Sequence, residues 1–330
     1  MPSPSNFVRL ARSCASIAIV ALLSGVSCGG AASPGGATGL DASPPPSPPP
    51  TPPSAPPTAP PVGPAYVRVA FVNADRLVAM NADGTGRVEL AQGDFADLAV
   101  SPDRSRIAFT RANNVFVMNA DASGIRQLTT QGGRDPSWSA DGSRIAFVGS
   151  DDAIHTMLAD GSSQRRLTTP HLDEGEVDYA PAWSPDGRYL VFTRWEYGEF
   201  TVLWTVNADG TNAAQLGRRE PFGSSYRTWA SWTPVWSTAR NRIVFAGPSS
   251  AYTPAVFTMN GDGSDVVEVY SGPASHVMYL VHDTSPDAKW ILVTNVIDKA
   301  ICLLGPGLGL MRVTEADGSH SPAFLSIQAP

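Results

Sequence analysis

From residue 66 to the C-terminus, apolar and polar positions alternate in short runs broken by turn residues, the pattern of strands rather than helices. Residues 181–195, PAWSPDGRYLVFTRW, show the unit most fully. An apolar run of Pro181, Ala182 and Trp183 meets Ser184, Pro185, Asp186 and Gly187, and alternation resumes at Tyr189, Val191 and Thr193. Proline presets φ at the second position of a type I turn, while aspartate and glycine supply the hydrogen bonding and backbone freedom that close it. The spacing predicts strand, tight turn, strand. Similar phrases run from Pro136 and Trp138 to Phe147, from Pro234 and Trp236 to Phe245, and more loosely over residues 100–109 and 284–293. A second hairpin follows each, around Asn-Ala-Asp-Gly at 81–84 and 207–210, with Gly261 in place of Ala at 260–263 and degenerate copies at 119–122 and 158–161.

A repeat of roughly 40 to 50 residues holding four short strands is the signature of a β-propeller. Five repeats are expected at residues 96–130, 135–169, 179–216, 231–270 and 278–314. A sixth, blade one, precedes them and is incomplete: its strands fall at 67–72, 77–80 and 88–90, with no Pro-x-aromatic phrase before them. That phrase reappears at Pro322, Ala323 and Phe324, followed by Leu325 and Ile327. The predicted fold is all-β, a six-bladed β-propeller of four-stranded blades, closed by the C-terminal strand completing blade one, which removes exposed edges from the ring. The phrases PSWSADGSRIAF, PAWSPDGRYLVF and MNADGTG resemble the WD-like repeats of the TolB-like propeller family, and the likeness covers most of residues 66–330. The resemblance implies a binding scaffold, since TolB itself partners a peptidoglycan-associated lipoprotein. A Pro-rich stretch stands here where that protein carries an N-terminal α/β domain.

Three segments are expected: an export signal at 1–28, a disordered stalk at 29–64 and the propeller at 65–330. Arg9 and Arg12 precede an apolar core at 17–23 that is too short to span a bilayer as a mature helix. Cleavage just before Cys28 makes that thiol a lipidation site; Gly25 and Ser27 depart from the usual lipoprotein signal, and ordinary secretory cleavage near Ala31 or Ala32 is the alternative. The proline-dense residues 44–61 favour extended polyproline II at about 3.1 Å per residue, so about twenty residues reach on the order of 60 Å. Behind a lipidated Cys28, such a stalk holds a domain off a membrane. The protein is therefore expected to be exported, periplasmic or at the cell surface, touching the membrane only through its N-terminal lipid.

A formal charge of −7 argues against nucleic acid as a partner. Of three cysteines, Cys14 lies in the signal, Cys28 is the lipid candidate and Cys302 is expected as a small buried apolar residue.

In a blade with strands A to D, the A–B and C–D turns share one face of the disc, and the B–C and D–A connections share the other. The tight turns belong to the first face. Long insertions at 169–178, 194–200, 217–230, 247–253 and 271–277 belong to the second, which is the expected ligand-binding face. It carries Trp195, Tyr197, Phe200, Arg218, Arg219, Phe222, Tyr226, Trp229 and Tyr252, with Arg227 and the acids Asp173, Glu174, Glu176 and Asp178. Some of these aromatics are equally readable as caps on neighbouring blades.

Catalytic patterns are sparse. Asp83-Gly84 and its copies resemble fragments of a calcium loop but lack the alternating acids of an EF-hand. His171, His276 and His282 fall on the loop face where they can meet near the pore, but no spaced ligand motif joins them, and the chain has no Gly-x-Ser-x-Gly elbow. No catalytic residue, metal or cofactor is expected. The leading expectation is a monomeric, non-catalytic scaffold for an envelope protein or a peptide. The alternatives are a carbohydrate-binding propeller with a glycan partner, and a metal-dependent propeller lyase acting on acidic sugars.

Overall fold

The computed structural model describes residues 67–73, 75–81, 85–196, 200–216, 233–237, 240–248, 254–271, 279–284, 291–295, 300–305, 309–315 and 323–327. The export signal, Cys28 and the stalk lie outside the described residues. Strands β1 (Val67–Asn73), β2 (Arg76–Asn81) and β3 (Val88–Gln92) open the fold, followed by β4 (Ala96–Val100), β5 (Arg106–Arg111), β6 (Asn114–Asn119) and β7 (Arg126–Gln127). Next come β8 (Arg134–Trp138), β9 (Arg144–Val148), β10 (Ile154–Leu158) and β11 (Arg165–Arg166), then β12 (Val177–Trp183), β13 (Tyr189–Glu196), β14 (Phe200–Asn207) and β15 (Ala214–Gln215). The last are β16 (Val235–Ser237), β17 (Arg242–Pro248), β18 (Pro254–Asn260), β19 (Val267–Ser271), β20 (Tyr279–Thr284), β21 (Ile291–Asn295), β22 (Ala300–Gly305), β23 (Gly309–Glu315) and β24 (Ala323–Ile327).

Consecutive strands pair antiparallel into four-stranded sheets, and β24 pairs antiparallel with β1, so the first sheet is ordered β24-β1-β2-β3. The protein is an all-β propeller of four-stranded antiparallel blades. No helix among the described residues is long and apolar enough to cross a membrane.

The turn chemistry read from the sequence recurs from blade to blade. In the A–B turns, Ser101, Ser139 and Ser184 each donate a hydroxyl proton to the aspartate two residues on, and accept the backbone N–H of the residue that opens the next strand. Gly187, at φ 68°, closes its turn with an N–H to Ser184 O at 2.9 Å. In the C–D turns, one carboxylate oxygen of Asp121, Asp160, Asp209 and Asp262 accepts both the N–H and the hydroxyl of the Ser or Thr two residues later. These Asp-Gly fragments are turn clasps, with that oxygen committed to their own loop.

Hydrogen bonds between connections define the two faces. Ala120, Ala159 and Ala208 in C–D turns donate to Ser105, Ser143 and Arg188 in A–B turns. On the other face, Gly93 and Gly133 in D–A connections and Asp178 at the start of β12 donate to Asp75, Asn113 and Asp152 in B–C turns.

The core lies between blades. Ile107 and Phe109 of β5 pack with Ala70, Val72, Leu77 and Ala79 of the first blade, while Ala108 packs with Trp138, Ile145 and Phe147 of the third. Leu190 and Phe192 of β13 face Ala146, Val148 and Ile154, and Val191 faces Ile243 and Phe245. The alternation predicted for these second strands suits a half-buried strand, whereas the structure buries both faces because a blade sits on either side.

Trp183 is 6% exposed inside the junction of the third and fourth blades. Trp138 is similarly placed one junction earlier, and its Nε1 donates to Ala99 O at 3.1 Å across it. Trp236, which holds the same place in the phrase of the next repeat, is only half-buried and turns its Nε1 to Asn241 Oδ1 at 3.1 Å in its own blade. Truncating Trp183 to Ala is expected to cost about 3 to 5 kcal/mol of stability. Trp236→Ala should cost distinctly less. Urea denaturation of both variants checks the contrast, and equal losses would contradict the different burial of the two rings.

Candidate binding face

The segment between β11 and β12 is the longest fully described D–A connection, and a buried ion cluster holds it. Register pairs Asp178 on β12 with Arg194 on β13, and Phe192 with Trp204 on β14. The two-residue period then puts Phe192, Arg194 and Glu196 on one face of the sheet, turned toward the third blade. Arg194 Nε and a terminal nitrogen donate to both oxygens of Asp178 at 2.6 and 2.9 Å, and its other terminal nitrogen lies 3.5 Å from Glu176 Oε2. Its guanidinium sits 4.6 Å from the Trp204 ring centroid, and Trp204 Nε1 donates to Glu196 Oε1 at 2.9 Å.

Asp178 is fully buried, and Glu176, Arg194 and Glu196 are nearly so. Burial pushes the Asp178 carboxyl above the usual range, and the Arg194 bonds work against that push. Removing one partner of such a cluster leaves a buried charge unpaired, which typically costs about 3 to 5 kcal/mol.

Glu176 is also the anchor of the surface above it. Its Oε2 accepts the backbone N–H of His171 at 2.9 Å and lies 3.0 Å from His171 Nδ1. Between these residues the chain makes a 3-10 turn, Leu172–Glu174, ended by Gly175 at φ 79°. Leu172 is left 50% exposed beside the exposed Asp173 and Glu174. A large apolar side chain is thus presented by a short backbone segment tied to a buried charge.

Further inward, the first strands of successive blades carry a carboxylate ladder. Asp97, Asp135 and Ala180 occupy the same place in the repeat, each in the left-handed region at φ 49°, 52° and 50° beside a bulge. Asp135 N donates to Asp97 Oδ2 at 3.4 Å, and Ala180 N donates to Asp135 Oδ2 at 3.3 Å. Asp135 is pushed up to about 7, first by burial and then by the charge of Asp97, with Arg134 opposing. A hydrogen bond between the two carboxyl groups adds to the rise.

Of the residues predicted for this face, Trp195 lies on β13, half-buried, in register with Val177 and Thr201. The stretch 194–200, expected as an inserted loop, instead continues the β13–β14 hairpin, with Glu196 paired to Phe200. Glu176 and Asp178 belong to the buried cluster, whereas Asp173 and Glu174 are exposed. Tyr197, Arg218, Arg219, Phe222, Tyr226, Trp229, Tyr252 and Arg227 lie outside the described residues, as does His276. His171 is bound to Glu176, and His282 on β20 is pushed down to about 3 by burial, so it stays neutral. Among the described residues, no three His, Cys, Asp or Glu side chains are grouped to hold a metal. Cys302 is buried among Val244, Val256, Val281 and Val293.

Sequence reasoning passed over Arg194, Glu196, Trp204, Asp97 and Asp135. Charged residues ending the otherwise apolar run LVFTRWE, and an aspartate at the same offset before Ser in two repeats, were the available signals.

A carboxyl whose folded pKa is raised from 3.8 to about 7 contributes most below its unfolded value, and that contribution fades as pH climbs toward 7. The melting temperature of the wild type should carry a falling component between about pH 4 and 7. Asp135→Asn should remove that component, and matching pH profiles for the two proteins would refute the raised carboxyl.

The comparisons with known proteins follow the same architecture. Residues 59–235 match the TolB beta propeller domain. Tol-Pal system protein TolB of Anaeromyxobacter dehalogenans is 37% identical over 123 residues, covering 37% of this chain and 25% of that one. The protein of the same name from Zymomonas mobilis is 34% identical over 88 residues, covering 26% and 18%. The chain thus matches a quarter or less of the length of these curated relatives. The crystal structure of TolB from Acinetobacter baumannii superposes with a TM-score of 0.63 at 15% identity, over 80% of this chain and 67% of that one, which speaks to the fold alone. Because the domain match takes in more than half of the 330 residues and runs through the blades described above, the chain belongs to the TolB beta propeller domain family.

Proposed function

We propose that this protein is an exported, non-catalytic propeller that binds an envelope protein or peptide on its B–C and D–A face. The observation that carries this reading is Leu172, half-exposed on a segment that Glu176 ties to the buried Arg194–Asp178 pair. A rigidly presented apolar side chain ringed by acids loses little conformational freedom on binding, so most of its burial is available as affinity. The names of the related Tol-Pal proteins favour a partner in the same type of system. Lipidation at Cys28 and the stalk complete the proposal, holding the propeller at a distance from a membrane.

The same reading takes the ring as six blades closed by the C-terminal strand. Its support is the pairing of β24 with β1, and the position of β24 against the first strands on either side, β4 and β20. Deleting residues 321–330 should then lower the melting temperature far more than loss of a frayed tail, and an unchanged melt would remove closure from the proposal.

The functional test captures a partner from native envelope extract with the full chain and then measures its affinity for variants. Leu172→Ala and Trp195→Ala should each cost about 2 kcal/mol, roughly 30-fold, while Asp209→Ala on the opposite face leaves binding unchanged. The reverse order would move the site to the other face. In the same cells, Cys28→Ser should shift the protein from the membrane to the soluble fraction.

A further inference from the structure

An arginine opens the second strand of the second, third and fifth blades, and two of the three are held by their surroundings. Arg106 lies 4.6 Å from the Trp138 ring centroid and donates to Gly142 O at 3.4 Å, both in the next blade. Arg242 donates to Asn260 Oδ1 and Asp265 Oδ2 of its own blade at 3.0 and 2.7 Å. Arg144 has neither kind of partner among the described residues. Its backbone pairs with Ser139, but its guanidinium meets no acceptor, carboxylate or ring.

A turn residue also differs at this junction. A Cβ added at Gly142 would meet Pro102 Cδ at 3.7 Å, so the A–B turns of the second and third blades touch. One added at Gly187 would meet nothing within 4 Å, and Ala140 stands in the third blade where Pro102 stands in the second. On the otherwise closed tight-turn face, a cleft of about 480 Å³ lies between the third and fourth blades, lined by Arg144, Ser163, Arg165, Ala208 and Asp209. Arg165 spends one terminal nitrogen on Ala208 O at 2.8 Å, and one oxygen of Asp209 is clasped by Thr211. Two guanidiniums against one carboxylate leave the cleft with a positive charge in excess, in a chain whose formal charge is −7.

We propose that this cleft binds a carboxylate carried by a peptide, with Arg144 as the anchor and Arg165 beside it. A carboxylate offers two coplanar oxygens to the fork of a guanidinium, and its single charge balances the excess. A phosphate dianion overfills that balance and meets the like charge of Asp209. The volume falls in the range of small-molecule sites, so there is room for the backbone on either side of an acidic side chain, or for the residue that ends a chain. The cleft lies on the face opposite Leu172, and its ligand is tested independently of the partner proposed there.

The test follows the arginine Nε–H signals of the full-length protein, grown with isotope-labelled arginine, as acetyl-Ala-Glu-Ala-amide is added. The Arg144 and Arg165 signals, identified by their loss in Arg144→Gln and Arg165→Gln, should shift to saturation, and acetyl-Ala-Gln-Ala-amide should shift neither. Acetyl-Ala-Gln-Ala with a free C-terminus tests the chain end as the source, and the tighter of the two acidic peptides names it. Arg144→Gln, read on the Arg165 signal, should weaken binding at least tenfold while keeping the wild-type melting temperature, because its side chain has no partner to lose. Arg144→Lys, which keeps the charge and loses the fork, should fall between. No saturable shift with either acidic peptide would overturn the proposal, as would equal binding of the amidated glutamine peptide or affinity unchanged in Arg144→Gln. Inorganic phosphate binding the wild type more tightly than both acidic peptides would overturn it too.

Discussion

In blades two to five, the second strand is buried on both faces, and the rest of the structure depends on that two-sided packing. The residues are divided by size: Ile107 and Phe109, Ile145 and Phe147, Leu190 and Phe192, and Ile243 and Phe245 face the preceding blade, while Ala108, Ala146, Val191 and Val244 face the next. Large against small lets neighbouring sheets approach closely with little void. A blade without neighbours would expose one of these faces, so a single repeat has no stable core of its own.

Once blades are held face to face, their connections have little freedom. The Ser-x-Asp clasps shorten the A–B turns and the Asp-to-Ser/Thr clasps shorten the C–D turns, leaving one face of the disc low and closed in on itself. Length accumulates on the other face. There the blade-four connection stays ordered because it is tied to Asp152 by Asp178 N, and to Arg194 through Glu176. A buried ion cluster is seldom the cheapest way to stabilise a junction. Its placement directly beneath an exposed loop is consistent with fixing that loop's position, a role that apolar packing performs with less directional precision.

The repeat, its strand order and its turn types were legible in the sequence alone, because they rest on local chemistry. Proline and glycine act on their own φ, Asp and Ser bond two residues away, and period-two alternation needs no partner to be recognised. The blade limits expected from PSW, PAW and PVW phrases accordingly fall within a few residues of the observed strands. Cys302 was also readable as core, being a small apolar residue in an apolar run.

Tertiary structure alone decided which polar residues matter. Arg194 looked like the start of a loop, yet β13 continues to Glu196 because Asp178 lies opposite it in register and absorbs its charge. Asp97 and Asp135, in neighbouring repeats, meet only when two blades stack, and the burial that stacking brings, with the charge of Asp97 added to it, raises the Asp135 carboxyl to about 7. The depth of a repeated tryptophan was equally hidden: Trp183 and Trp236 occupy the same phrase, but one is enclosed by two blades and the other is only half-buried. Sequence determined what depends on neighbours along the chain. Contacts across a blade junction join residues some forty positions apart, as between Asp97 and Asp135, and their burial and charge state exist only once the blades are packed.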